Sequence, residues 1–212
     1  MINPHATINI YTIAWNEEFM LPHFLKHYES VANKIFVLDH HSTDRTAEIA
    51  KAHKKVRYSI YDYPTYNEKE ISDTFVKMAK RHRSTWAVCV DTDEFIYGLE
   101  SLLFESPGIL KPTGYMMIGS TGRLEDCKKV RMESFDKPVI FDPRIKLRFN
   151  DGRHSVVSDE AVRRSGMELW HYKYPSRKYY LERNKAAYPR IMNEKDTQYR
   201  LRRGLEWYDE HI

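Results

Sequence analysis

Apolar residues in the first half of the chain follow two rhythms. Continuous apolar and β-branched runs at 7–14 (TINIYTIA), Lys34–Asp39 (KIFVLD), 56–61 and 86–91 (WAVCVD) read as strands, and the unbroken runs suit strands buried on both faces. Between them the spacing becomes helical. Phe19, Leu21, Phe24, Leu25 and Tyr28 share one helix face, with Glu17 and Glu18 near its start. STDRTAEIAKAH offers Ser42 or Thr43 as an N-cap with Asp44 in the first turn, and 67–81 is a further helix. Strand and helix in alternation predict an α/β domain with a largely parallel sheet. After Gly98 the rhythm breaks. Short strand candidates at 114–120, 138–141 and 144–149 are split by Gly, Pro and Asp, and 176–187 and 194–208 read as terminal helices. With no internal repeat or long linker, 1–212 reads as one domain in two halves, 1–98 for a nucleotide and 99–212 for an acceptor.

Two of the apolar strands end on acids, Asp39 and Asp91. Ligands of open α/β sheets bind beyond the carboxyl ends of the strands, so parallel strands would bring both acids to the ligand edge. Asp39 has a second reading, as a turn aspartate before Ser42. In the run DTDEF, Asp93 follows Asp91 by two positions. On an extended backbone such carboxylates point the same way and repel unless a cation lies between them. Oxygen ligands without thiolates suit Mg²⁺ or Mn²⁺. None of the eight glycines falls in a G-x-G-x-x-G or Walker-type loop, so a nucleotide's phosphates would be held through that metal. Paired metal-binding cysteines, H-E-x-x-H and G-x-S-x-G are absent too.

Three segments, TINIYTIAWNEE, KIFVLDHHSTDRT and WAVCVDTDEFI, occur in the order and spacing that resemble the family 2-like glycosyltransferases of GT-A fold: a strand into N-E-E, a strand ending D-x-x-S-T-D, and a strand ending D-x-D. The resemblance covers the first half of the chain. DTDEF together with HYKYPSRKYYLERN is most similar to the bacterial and viral branch acting on surface glycans. It implies a Rossmann-like, mostly parallel sheet flanked by helices with a mixed C-terminal half. It also implies Mn²⁺ or Mg²⁺, a nucleotide-sugar donor, first of all a UDP-sugar, and transfer of a hexosyl or deoxyhexosyl group to a glycan or glycoprotein acceptor. By the same resemblance Ala14, Trp15 and Glu17 border the base and ribose, Asp39 accepts a hydrogen bond from the nucleoside, and Asp44 supports that loop. Asp91 faces the ribose or donor sugar, and Asp93 binds the metal at the diphosphate. One of Lys77, Lys80, Arg81 and Arg83 reaches a phosphate. His154 and His171 compete as a further metal ligand, and Asp151, Asp126 and Asp159 as a catalytic base beside the two acids of the motif. The chain departs from the family pattern at Ala14-Trp15, where many relatives have Pro, and at His40-His41, where many have Gly-Ser.

Charge and cysteine content add less. The net charge of +4 sits in 170–212, which holds ten Lys/Arg against six Asp/Glu; it suits a peripheral contact with an anionic membrane face or a solvated helix. No apolar run is long enough to span a bilayer. Cys89, inside an apolar run, and Cys127 read as free thiols, which points to a reducing, cytoplasmic setting. Three rival readings fit less well. A sugar nucleotidyltransferase would carry a Gly-rich basic loop after the first strand, and a D-x-D-x-T phosphatase would have Thr or Val at Phe95. A nucleic-acid-binding module would set Asp91 and Asp93 against a phosphate backbone.

Overall fold

The computed structural model describes residues 6–64 and 66–212, with backbone only at Asp151. The four apolar runs form β1 (Ile8–Ala14), β2 (Lys34–Asp39), β3 (Val56–Ile60) and β4 (Trp86–Cys89), linked by α1 (Met20–Tyr28), α2 (Thr46–Ala52) and α3 (Glu68–His82). Then come β5 (Glu94–Tyr97), β6 (Ile109–Ile118), β7 (Lys128–Arg131), β8 (Ile140–Phe141), β9 (Leu147–Phe149), β10 (Val156–Ser158) and β11 (Val162–Tyr174), closed by α4 (Arg177–Ala187) and α5 (Glu194–His211). Nine strands make one sheet in the order β3-β2-β1-β4-β8-β6-β11-β5, with β7 beside β6; β9 and β10 pair separately. β3, β2, β1 and β4 are parallel, with Ala14 opposite Asp39 and Tyr11 opposite Cys89. β8 runs antiparallel to β4 and β6, while β6 and β11 are parallel to each other. The chain winds from β1 to β2 on one side and returns to β4 on the other. The crevice where such a sheet binds ligands therefore lies at the ends of β1, β2 and β4.

Alternation along β1 explains why both faces are covered. Ile10 packs with Leu21, Phe24 and Trp86 under α1, while Tyr11 and Ile13 pack with Phe75, Ile71 and Phe141 under α3. A third cluster, Met116, Ile118, Tyr174, Tyr180, Leu201 and Tyr208, fixes α4 and α5 to the far strands. Two glycines permit close approaches that matter for the site. A Cβ at Gly114 would stand 2.3 Å from the Phe135 carbonyl carbon, so the loop carrying Asp136 and Lys137 can lie directly on β6. A Cβ at Gly204 would stand 1.8 Å from the Tyr180 hydroxyl, so α4 is held tightly against α5. No described helix is long and apolar enough to cross a membrane, and Cys89 and Cys127 are free thiols.

Several boundaries depart from the sequence reading. α2 starts at Thr46, not at 42–44, because Asp44 Oδ1 accepts the Thr46 N–H at 2.9 Å while the Ser42 N–H is bound by Asp39. β4 stops at Cys89, short of Asp91, because the Glu94 N–H returns to the Asp91 carbonyl at 3.0 Å and makes 91–94 a turn. β5 and the 13-residue β11 escaped the reading. β6 starts at Ile109 and runs through Pro112. The missing N–H falls between the stretch that pairs β8 (Ile109, Leu110) and the stretch that pairs β7 (Tyr115–Ile118), where no ladder partner needs it.

Candidate active site

A cavity of about 580 Å³ opens at the carboxyl ends of β1, β2 and β4. Its floor is two loops stitched together by short polar side chains. Asn16, with φ 52°, donates its N–H to Ser42 Oγ at 2.9 Å and accepts the Thr43 N–H at 2.8 Å. The Glu17 and Glu18 N–H groups donate to Thr46 Oγ1 (2.7 Å) and Asp44 Oδ2 (3.0 Å). These bonds satisfy backbone that would otherwise be stranded at the sheet edge and hold Ala14, Trp15, Glu17 and Asp44 in the cavity wall. On the opposite side Arg190 lies over the Trp15 ring, 3.8 Å from its centroid, and donates to His40 Nδ1 at 2.9 Å. His40 Nε2 meets the Tyr63 carbonyl at 2.9 Å. A carbonyl only accepts, so Nε2 carries the proton and Nδ1 is left to accept from Arg190.

Asp39 sits below the wall, not in it. It is 1 % exposed; Oδ1 accepts the Ser42 N–H at 2.8 Å and Oδ2 accepts the Tyr58 hydroxyl at 2.7 Å. Burial, and then this bond to Asp39, push the Tyr58 hydroxyl up to about 12. In this arrangement each oxygen of Asp39 accepts one bond from the protein, as the turn reading expects, and Asp39 is not among the residues lining the cavity.

The turn after β4 carries the paired acids, and it separates them. The Asp91 N–H donates to Glu94 Oε2 at 3.1 Å, and Lys137 Nζ binds Glu94 Oε1 at 2.5 Å. Asp91 itself is ion-paired with the buried Arg153, whose guanidinium faces the Phe75 ring. Asp93 has different partners. Its Oδ2 receives Arg183 at 2.6 Å and lies 3.2 Å from His171 Nε2. Arg183 also binds Glu17 Oε1 at 2.6 Å, so one guanidinium bridges two carboxylates. The extended backbone on which the two acids are expected to point the same way is replaced by a turn at 91–94, and in it each acid has its own basic partner.

Burial would raise both acids, but Arg183 and then His171 hold Asp93 well below the usual carboxylate range, and Arg153 and then Lys137 hold Asp91 below it. Glu17 goes the other way: burial raises it more than Arg183 lowers it, and Asp93 adds to the rise. A carboxyl raised in the fold makes ionisation costly there. Its cost is absent at acid pH and complete once pH exceeds the folded value. Glu17→Gln, which mimics the protonated form, is therefore expected to gain stability relative to wild type as pH rises. Melting curves of both proteins between pH 4 and 8 test this; a difference that stays flat or narrows with pH would contradict it.

The remaining candidates scatter. Arg83 caps α3 with φ 43°, just before β4 begins, at the sheet edge opposite the cavity. Lys77, Lys80 and Arg81 run along the same helix, and none of the four lines the cavity. The phosphate contact expected from this group is corrected by topology: a helix that precedes a strand ends at the strand's amino end. His154 Nδ1 is taken by the Ser134 carbonyl at 2.6 Å outside the cavity, so it is no partner for Asp93. Asp126 binds Thr121 Oγ1 at 2.7 Å, and Asp159 lines a separate shallow recess. Asp151 has its backbone in the 3-10 turn Asp151–Arg153, and its side chain lies outside the described residues.

His171 and Asp93 are the pair that could hold a divalent cation. They present one nitrogen and one oxygen donor 3.2 Å apart in the cavity wall. Among the described residues no group of three or more His, Cys, Asp and Glu forms a closed cage. Mg²⁺ and similar ions, however, take one or two protein ligands beside substrate phosphates and water. His171 Nδ1 is buried without a hydrogen-bond partner among the described residues, and the ring's polar contact is made by Nε2. The donor set fits once Arg183 leaves Oδ2.

No family model matches this chain, and no curated protein does. Solved structures do. S. aureus TarS 1–349 in complex with UDP matches with a TM-score of 0.52 at 12% identity over 92% of this chain and 69% of that one. TarS 1–349 gives 0.50 at 11% over the same shares, and a longer TarS chain gives 0.51 at 12% over 90% of this chain but only 41% of its own length. At such identity the likeness is one of architecture: a mostly parallel, mixed α/β sheet flanked by helices is shared with the TarS structures.

Proposed function

We propose that this chain is a glycosyltransferase moving a sugar from a nucleotide-sugar, first of all a UDP-sugar, to a hydroxyl of a glycan or glycoprotein. The observation that carries the reading is the coincidence of three features in one cavity: the crevice at the ends of β1, β2 and β4, the aromatic wall at Trp15, and the Asp93–His171 pair beside Arg183. The likeness to TarS, whose structure was solved with UDP, supports the same assignment. Trp15, with Arg190 lying over its ring, would border the base, and the Glu17 and Asp91 side of the wall is left for ribose and sugar. Asp93 and His171 would hold Mn²⁺ or Mg²⁺, which when bound neutralises the departing diphosphate.

In the transfer the acceptor oxygen forms a bond to the anomeric carbon as that carbon's bond to the diphosphate breaks. The acceptor's proton goes to a carboxylate and the electron pair leaves with the diphosphate. Glu68 and Glu182 line the cavity; Glu182 lies 3.9 Å from Lys178 across one helix turn, and either carboxylate can accept that proton. Arg183 and Lys173 face the same space and can meet the leaving group's charge.

A ligand that binds only the folded state raises the melting temperature by mass action. UDP or UDP-sugars are expected to stabilise the chain, and more so with Mn²⁺. A screen of UDP, GDP and dTDP sugars with and without the metal tests the reading; no shift with any nucleoside diphosphate under either condition would remove it.

A further inference from the structure

The metal-binding face of Asp93 is already in use. Arg183 donates to the same oxygen, Oδ2, that faces His171 Nε2. A guanidinium at that oxygen and a divalent cation between Asp93 and His171 would put two positive charges at contact distance, where Coulomb repulsion is strongest. A cation at Oδ2 therefore competes with Arg183 for Asp93. Arg183 has a second anchor, however. Its Nη2 and Nε both donate to Glu17 Oε1, at 2.6 and 3.2 Å. Release of Asp93 would therefore leave the side chain tethered inside the cavity and not free in solvent. The helix that carries it is fixed. Ser176 caps α4 by accepting the Tyr179 N–H, and Tyr180 is pressed against Gly204 of α5. Movement is thus confined to the long side chain, which is 24% exposed and lines the cavity.

We propose, resting on the glycosyltransferase reading, that Arg183 is a donor-binding residue that exchanges partners. Without donor it neutralises Asp93. With donor it gives up Asp93 and places its planar fork on the diphosphate, keeping Glu17 as pivot. The fork matches phosphate oxygens in pairs, which a point charge does not. The exchange makes metal and donor bind cooperatively. Metal alone must compete with Arg183 for Asp93, whereas the diphosphate draws Arg183 away.

Arg183→Met and Arg183→Lys separate this from a merely structural ion pair. Mn²⁺ binding is measured by calorimetry without nucleotide, and UDP binding at saturating Mn²⁺. Arg183→Met is expected to tighten Mn²⁺ about tenfold or more, because its competitor is gone. The same variant is expected to weaken UDP about tenfold or more, because the diphosphate loses a charged fork. The two changes have opposite signs, and Arg183→Lys should fall between wild type and Met in both. A structural role would weaken both affinities together. Unchanged or weakened Mn²⁺ binding in Arg183→Met overturns the proposal; so does tightened Mn²⁺ with unchanged UDP affinity, which would leave Arg183 a counter-ion only. Should Arg183→Met fail to fold, Arg183→Met with Glu17→Gln reduces the unpaired charge and answers the same question. A wild type that binds no nucleoside diphosphate would sink the proposed function and the exchange with it. The Mn²⁺ arm would still report whether Arg183 guards Asp93.

Discussion

Asp93→Asn is expected to lower sugar transfer about a hundredfold and to destabilise the fold by about 3 kcal/mol. The two losses have separate causes. For turnover, the substitution removes the anionic donor that faces His171 and the cavity; loss of one group that stabilises transition-state charge typically costs on the order of 3 kcal/mol of barrier. For stability, Asp93 is 2 % exposed and paired with Arg183, so the amide leaves a guanidinium with one carboxylate where it had two. Breaking a buried pair by deleting one partner costs about 3–5 kcal/mol, and Glu17, which still holds Arg183, keeps the figure at the lower end. Reading the two acids as a repelling pair on extended backbone would predict the opposite, a neutral or stabilising change. The pH dependence sharpens the distinction. Burial raises the Asp93 carboxyl, but Arg183, His171 and Lys137 together outweigh it and hold the carboxyl well below its unfolded value, so its contribution is complete above that unfolded value. It is lost as pH falls through the folded one. The gap in stability between wild type and Asp93→Asn should therefore close on acidification. Urea unfolding at several pH values gives the stability term, and turnover per folded molecule gives the other. A variant that is destabilised yet turns over normally would make Asp93 a structural residue only.

What the sequence could show about this site divides by distance along the chain. The parallel half of the sheet was legible because each of its strands is a local apolar run, and the ligand edge followed from Asp39 and Asp91 ending two of them. β11 was hidden. Its start is exposed on both faces (Arg163, Arg164), its middle alternates buried Met167 and Leu169 with half-buried Glu168 and Trp170, and its buried end is polar or aromatic (His171, Tyr172, Tyr174), so no single pattern runs its length. The carboxylates stood out because they cluster in sequence. Their partners did not, because Arg153 meets Asp91 across 62 positions and Arg183 meets Asp93 across 90. Basic residues beside an acidic strand in sequence, such as Arg83, attract notice, but in a parallel α/β unit they lie at the opposite end of the strand. The turn at 91–94 was illegible for a related reason: it depends on Glu94 being held by Lys137 from a loop that only Gly114 lets so close.

That last dependence gives the largest expected effect on stability. Lys137→Met should destabilise the protein by about 3–5 kcal/mol, whereas Lys137→Met combined with Glu94→Gln should recover most of the loss. The side chains are 4% and 0% exposed and 2.5 Å apart, so removing the ammonium strands a carboxylate away from water. Methionine fills the volume of the lysine stem, so packing changes little and the charge accounts for the effect. In the double variant the charge is gone on both sides. The side-chain oxygen of the introduced glutamine can still accept the Asp91 N–H, the bond that sets the turn. Replacement of a buried ion pair by neutral groups of similar volume is often close to neutral, so most of the single variant's loss should return. For a chain of this size each kcal/mol moves the melting temperature by about 2–4 °C, which places the single variant roughly 6–20 °C below wild type. Thermal and urea unfolding of wild type, both single variants and the double variant close the cycle. A double variant as unstable as Lys137→Met would show that the ammonium is needed for more than neutralising Glu94. A single variant within about 1 kcal/mol of wild type would show that the carboxylate finds water or another partner, and that the turn presenting Asp91 and Asp93 does not depend on this pair.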